Sequence, residues 1–255
     1  MKEIIDVTLL SILQGVAEFL PISSSGHLVL GKSLLGMTEP GLRLDIFLHV
    51  GTLASVCLFY LAVIRRIVME VDWRYALKVV LSAVPAGLVG ILFKDELEAL
   101  FTSPRAVGGA LLFTGAVLMT TKFLPRGAKA VGWWHSLLIG IAQAVAILPG
   151  VSRSGMTITA ARSLGVEPVK CAEFSFLMSI PPIVGAALIE VLKSLKADAP
   201  ATGEVSWTFA LYGAVVAGVV GFFALKFLLA SLKSKWFWLF GPYCFLAGLG
   251  CLVFG

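Results

Sequence analysis

Charge is the scarcest resource in this 255-residue chain: only 14% of its residues are Asp, Glu, Lys or Arg, and only three are histidine. Soluble domains carry about 25% charged residues, and a disordered chain needs high charge with few apolar residues. Both are excluded by a 58% apolar composition. Four cysteines (Cys57, Cys171, Cys244, Cys251) fall in or beside apolar segments without a CxxC pair. They read as buried, inert thiols and not as disulfides or metal ligands. The N-terminal apolar run carries Asp6, Gln14 and Glu18 and no small-residue cleavage site, so it does not read as a cleavable signal peptide.

What is abundant is uninterrupted apolar sequence. Segments 46–64, 106–121, 130–152, 205–225 and 236–255 contain no Asp, Glu, Lys or Arg. Each approaches or exceeds the roughly 17–25 residues that cross a hydrocarbon core. The chain is therefore expected to be an all-α polytopic integral membrane protein, with the lipid bilayer as its partner. The net charge of +5 is spread between the spans and does not form a block, so it predicts orientation and no nucleic-acid partner.

Six spans are expected, at 46–64, 75–93, 106–124, 171–192, 205–229 and 236–254. Regions 4–31 and 131–161 are apolar but broken by Pro, Gly and clustered Ser. At a constant offset of 129 residues, Ile12, Gln14, Val16, Ala17, Ser23, Ser25 and Gly26 match Ile141, Gln143, Val145, Ala146, Ser152, Ser154 and Gly155. The chain therefore divides into two repeats, 1–125 and 130–255, each an interrupted element followed by three spans. Three crossings reverse direction, so the repeats are expected to be inverted. Loops 65–78, 122–130 and 226–235 are net basic and 94–105 is not, which puts the basic loops in the cytoplasm and both termini outside. Trp73, Trp133, Trp134, Trp236 and Trp238 would then form an aromatic belt at the inner boundary. The return limbs after Pro21 and Arg153 are too short to cross, so both interrupted elements are expected to be re-entrant helical hairpins.

Gln14 and Glu18 share one helix face. A carboxylate inside an apolar helix costs about 2.5–3.5 kcal/mol on insertion scales, so a cation, a metal or water must offset it. Pro21-Ile22-Ser23-Ser24-Ser25-Gly26-His27 then supplies three hydroxyls and an imidazole where a second helix begins, a position that favours an anion. In the second repeat Ser152, Ser154 and Gly155 recur, but Arg153 replaces Ser24, Ile147 replaces Glu18 and Met156 replaces His27. Arg clamps phosphate through paired hydrogen bonds. Together these groups suit phosphoryl transfer from a lipid-borne phosphate. His49, with Asp45 one turn earlier, reads either as a satisfied interior histidine or as a residue lining the cleft, and Glu173 either as a partner of Arg162 or Lys170 or as a group reaching the site from the second half.

The motifs QGVAEFLPISSSGH (14–27) and LPGVSRSG (148–155) resemble the two signatures of the undecaprenyl-diphosphatase, or bacitracin-resistance, family. The likeness extends over the whole chain, including DIFLHVGT (45–52), VPAG (84–87) and AEFSFLMSIPP (172–182). It implies a multi-pass enzyme of the bacterial inner (plasma) membrane that hydrolyses undecaprenyl diphosphate to the monophosphate. It also implies a divalent metal ion (Mg2+ or Ca2+) and an active site facing the periplasm or outside. Gln14 stands where some members carry Glu.

The resulting expectation gives Glu18, Ser24, His27 and Arg153 catalytic roles. Ser24 is the nucleophile, His27 the general acid or base, and Glu18 with Gln14 the metal ligands. Ser23, Ser25, Gly26, Ser152, Ser154 and Gly155 would bind substrate. Attack by water instead of Ser24 stays open, as does a homodimer. The rival reading is a polyprenyl-phosphate transporter using the same cleft, since inverted repeats with broken helices also build transporters. A third reading leaves the Ser/Gly clusters as helix-packing sites alone.

Overall fold

The computed structural model describes residues 2–37, 42–101, 103–196 and 205–254. Among them every regular element is helical, and the one β feature is an isolated bridge between Lys129 and Val166. The first interrupted region forms α1 (Lys2–Phe19) and α2 (Ser24–Leu34). Then follow α3 (Leu42–Phe59), α4 (Leu61–Met69), α5 (Trp73–Leu92), α6 (Lys94–Phe101) and α7 (Pro104–Thr120). The second interrupted region forms α8 (Trp133–Val145) and α9 (Arg153–Ser163). The chain continues as α10 (Pro168–Leu177), α11 (Ile180–Lys196), α12 (Trp207–Lys233), a 3-10 turn at Phe237–Leu239 and α13 (Phe240–Phe254).

Local chemistry sets most of these boundaries. Asp72, Ser103 and Ser206 cap α5, α7 and α12 by accepting from Tyr75, Ala106 and Phe209 N–H groups. Pro104 and Pro168 occupy first helical turns, where a missing N–H costs nothing. At 11 residues each, α2 and α9 are about 16 Å long, half the thickness of a hydrocarbon core. By contrast α5, the joined α10–α11 and α12 are long and apolar enough to cross, as is the bent pair α3–α4.

Several expected boundaries change: the basic stretch 65–78 is largely α4 and the start of α5, residues 226–233 belong to α12, and the span at 171–192 is divided between α10 and α11. The span at 46–64 ends at Phe59, and the chain turns by 73° into α4. Apolar composition continues through Tyr60 and therefore carried no signal of the bend. The acidic segment near 94–105 is not simply a loop, because α6 lies within it.

The outer surface is apolar, as a lipid-facing surface requires. Leu77, Val80, Leu88 and Ile91 of α5, Leu211, Val215 and Val219 of α12, and Leu246 and Val253 of α13 are all exposed. Hydrocarbon solvates such side chains as well as a partner helix does, so helix association relies on close packing. The seam between α7 and α13 shows this. A Cβ on Gly108 would lie 3.0 Å from the Gly248 carbonyl oxygen, and one on Gly115 would lie 3.0 Å from that of Gly241. Phe19, Phe174, Phe176, Leu118, Ile139 and Ile158 form the buried centre, around the place where the two hairpins meet.

Candidate active site

Both hairpins turn by the same local device. Ser23 precedes α2, and its Oγ accepts from Gly26 N at 3.3 Å; Ser152 precedes α9, and its Oγ accepts from Gly155 N at 3.1 Å. Each capping hydroxyl also meets the next serine but one, Ser23 with Ser25 at 3.4 Å and Ser152 with Ser154 at 3.3 Å. The tips then pack across each other. A Cβ on Gly26 would lie 3.1 Å from the Gly150 Cα, and one on Gly155 would lie 3.3 Å from the Pro21 Cβ. Thr114 of α7 pins the second tip by donating to the Gly150 carbonyl at 2.9 Å and accepting from Ser152 N at 3.1 Å.

This contact corrects the roles expected for Gly26 and Gly155. Both are packing positions, and their N–H groups are occupied by Ser23 and Ser152, so neither offers a donor to a substrate. Ser23 and Ser152 line the cavity, but their hydroxyls hold the turns.

Crossing the tips brings Glu18 and Arg153 together. A guanidinium Nη2 of Arg153 donates to Glu18 Oε1, while its Nη1 donates to the Ser175 carbonyl at 3.1 Å. The same guanidinium lies over the Phe176 ring. The other carboxylate oxygen, Oε2, accepts from Ser24 Oγ at 2.8 Å and from Gln14 Nε2 at 3.1 Å. A buried carboxylate needs such partners to remain ionised. Glu18, Ser24, Ser25, His49, Gln143 and Arg153 all line a cavity of about 250 Å³, as does Ser154.

His27 leaves the site expected for it, and His49 takes the cleft-lining one of its two expected places. His27 is buried away from this cavity: its Nδ1 donates to the Ser23 carbonyl at 2.9 Å, and its Nε2 meets the Tyr243 hydroxyl at 2.8 Å, with the two rings stacked. Its position near Ser24 in sequence puts it one turn on, but the ring points toward α13. His49 lines the cavity instead, with Nε2 3.6 Å from Glu18 Oε2 and Nδ1 2.8 Å from the Asp45 carbonyl. Gln143 was visible in the sequence only as the repeat mate of Gln14. It lines the cavity, and its buried Nε2 has no hydrogen-bond partner among the described residues. Asp45 pairs with Lys32 at 2.5 Å, and Glu173 with Lys170 at 2.9 Å and Tyr75.

Among the described residues no group of three or more His, Cys, Asp or Glu is arranged to hold a metal. Mg2+ typically takes one or two carboxylates and completes its shell with substrate phosphates and water. Glu18 with the neighbouring Gln14 fits that pattern: Gln14 Oε1 is buried and lacks a partner. Gln14 itself is fully buried behind Glu18 and does not line the cavity.

A second, mostly apolar cavity of about 370 Å³ adjoins the first. Ser25, His49, Pro182 and Ile183 line both, and the second extends along Leu28, Val29, Ile46 and Ala186. A polar pocket holding a carboxylate, a hydroxyl and a guanidinium thus opens onto a greasy channel, the form of a membrane enzyme or carrier for a phosphorylated lipid.

Comparison with known proteins names which. The family described as "Bacitracin resistance protein BacA" matches residues 7–250. The chain is 42% identical to an undecaprenyl-diphosphatase of Desulfatibacillum aliphaticivorans, with 98% of each chain covered. It is 39% identical to one of Halothermothrix orenii and 35% identical to one of Bacteroides thetaiotaomicron, again over 98% of each. The chain belongs to the bacitracin resistance protein family.

Proposed function

We propose that this protein hydrolyses undecaprenyl diphosphate to undecaprenyl phosphate and inorganic phosphate, regenerating the lipid carrier of cell-wall synthesis and conferring bacitracin resistance. The observation that carries this reading is the chain Ser24–Glu18–Arg153, which joins a hydroxyl, a carboxylate and a guanidinium from two hairpins in one cavity. The diphosphate occupies the polar cavity, and the first prenyl units lie in the adjoining apolar one. Arg153 then turns its guanidinium from Glu18 onto phosphate oxygens. Gln143 Nε2 donates to another oxygen.

Ser24 Oγ attacks the terminal phosphorus and gives its proton to Glu18, the carboxylate it already touches. The bond to the bridging oxygen breaks, and undecaprenyl phosphate leaves. Water then attacks the phosphoserine, inorganic phosphate departs, and the Ser24 hydroxyl is restored. His49 stands beside Glu18 and passes protons between that carboxylate and water. A divalent ion, Mg2+ or Ca2+, would be held by Glu18 with Gln14 behind it. When bound, it supplies charge neutralisation on the diphosphate oxygens.

The cleft is assigned to the periplasmic or outer side of the bacterial inner (plasma) membrane. Supporting this is the basic character of segments 65–78, 122–130 and 226–235, which favours the cytoplasm. The two repeats are read as inverted for the same reason.

Phosphate release by the purified protein in detergent tests the activity, since no two-sided membrane exists there for transport. Expected is release of inorganic phosphate from long-chain polyprenyl diphosphate, lost with a chelator and lost in Glu18→Gln. A covalent phosphoserine trapped in wild type and absent in Ser24→Ala supports Ser24 as nucleophile. Near-normal turnover by Ser24→Ala hands the attack to water.

A further inference from the structure

A third cavity lies away from the cleft, where the C-terminal ends of α7, α9 and α12 converge. It has a volume of about 300 Å³, and its lining includes Lys122, Arg126, Arg162, Lys235, Leu232 and Trp238. Among the described residues no carboxylate lines it, and none of the four cations forms an ion pair with an acid.

Part of this charge has a local explanation. Helix C-termini present carbonyl groups and the negative end of the dipole, and cations settle there. Arg126 Nη2 donates to the Lys233 carbonyl, and Arg162 Nη2 to the Thr121 carbonyl at 3.3 Å. That use leaves a remainder. Arg162 Nε is buried without a partner, Lys122 Nζ makes only a ring contact, 4.7 Å from the Trp238 centroid, and Lys235 has no carbonyl partner among its hydrogen bonds. The carbonyl contacts fix both guanidinium groups in place, so an anion would find its donors already oriented. Like charges gathered around a cavity are stabilised by a ligand of opposite sign.

We infer that this cavity binds the phosphate of an anionic lipid headgroup. The choice of a lipid over a free anion follows from the rim. Phe123 and Trp236 beside the basic residues are exposed by 81% and 63%, and Leu124 and Leu232 line the cavity wall. Exposed aromatic residues with snorkelling lysines mark the depth at which headgroups sit. Segments 122–130 and 226–235, net basic and expected in the cytoplasm, both border the cavity, so the lipid is assigned to the inner leaflet.

The site is also coupled to the cleft by one rigid element. Arg153 begins α9 and Arg162 lies in its last turn, about 14 Å apart along the axis. A headgroup on Arg162 therefore braces the helix that presents Arg153 to the substrate.

The test is a lipid titration of the full chain in uncharged detergent, read by native mass spectrometry. The probes are phosphatidylglycerol, phosphatidylcholine and inorganic phosphate. A Glu18→Gln/Arg153→Gln background removes the cleft's own phosphate ligand from the count without stranding a buried carboxylate. Expected is one retained phosphatidylglycerol, preferred over phosphatidylcholine. Its affinity should fall about tenfold in the exposed-residue double variant Lys122→Gln/Lys235→Gln, and by a similar factor in Arg162→Gln. The double variant decides the matter if Arg162→Gln fails to fold, since both lysines are exposed. Unchanged retention in the double variant, or equal retention of phosphatidylcholine, overturns the assignment. Displacement of the lipid by millimolar inorganic phosphate would make the site one for a free anion, and that also overturns it.

Discussion

The two hairpins, α1–α2 and α8–α9, are built on one plan and loaded with different chemistry. Residues the halves share are the scaffold: Ser23 and Ser152 cap, Gly26 and Gly155 let the tips cross, and Ser25 and Ser154 meet the caps. Residues at which they differ carry the charges: Glu18 against Ile147, and Ser24 against Arg153. Letters common to both repeats therefore report how the turn is made, and letters unique to one report what the site does. A similar contrast separates two helix seams. On one side α3 packs along α12, where Ser55 Oγ donates to the Gly218 carbonyl at 2.5 Å. On the other, α5 and α11 touch only briefly, and Ala86, Pro182 and Ile183 line the cavity between them. One side is sealed and the other leaves the cleft open toward lipid.

The sharpest way to break the hairpin comparison is to remove its two charges. Glu18→Gln and Ser24→Ala should each lower kcat by about 10²–10⁴-fold, the usual worth of a positioned acid–base or nucleophilic group. Arg153→Ala should also lower thermal stability in detergent, by about 3–5 kcal/mol, because it strands a buried carboxylate. Adding Glu18→Gln to it should restore stability without restoring turnover. If the double variant is no more stable than Arg153→Ala, the pair is not buried as described.

A smaller effect separates the histidines. His49→Ala should lower kcat about tenfold or more with an unchanged melting temperature, since its imidazole lines the cavity. His27→Ala should do the reverse, losing about 1–2 kcal/mol of stability as Tyr243 loses its partner, with modest change in kcat. The opposite assignment of effects would return His27 to the cleft.

The histidines also show where sequence reasoning stopped. Membrane class, the run of apolar helices, the two broken elements and the meeting of Glu18 with Arg153 were legible, because apolar length, proline breaks and an offset repeat are one-dimensional signals. Which way a ring points is not one. His27 follows Ser24 by three residues and so shares its helix face, yet the Tyr243 hydroxyl, 216 residues away, captures it. His49 could be read as satisfied or as lining the cleft, because an i−4 backbone carbonyl is always within reach of Nδ1 and the sequence does not say where Nε2 points. Gln143 was hidden by its resemblance to Gln14: the same residue at the same repeat position faces the cavity in one half and the core in the other.

That difference between the glutamines yields the next test. Gln143→Leu removes a buried amide with no partner, so stability should hold or rise slightly, while KM for polyprenyl diphosphate should rise about tenfold through loss of one hydrogen bond to phosphate. Gln14→Leu should instead lower stability, because Glu18 loses a donor. Equal KM effects from both would mean that the two hairpins meet the substrate symmetrically.

The smallest expected effect probes the shared scaffold itself. The two caps make the same bond from different backbones: Ser152 has φ −75°, whereas Ser23 has φ 70°. An L residue at positive φ is strained, and glycine relieves that strain at no steric cost. Replacing a capping serine by glycine loses its side-chain bond but costs only a few tenths of a kcal/mol at an ordinary cap. Ser152→Gly should therefore be mildly destabilising by about that amount. Ser23→Gly should be neutral or stabilising, by up to about 1 kcal/mol, because relief of the positive φ outweighs the lost cap. Melting temperatures of the two variants, measured side by side in one detergent, give the sign directly. Equal losses would mean that the first hairpin stores no strain at Ser23, and that its turn is as relaxed as that of the second.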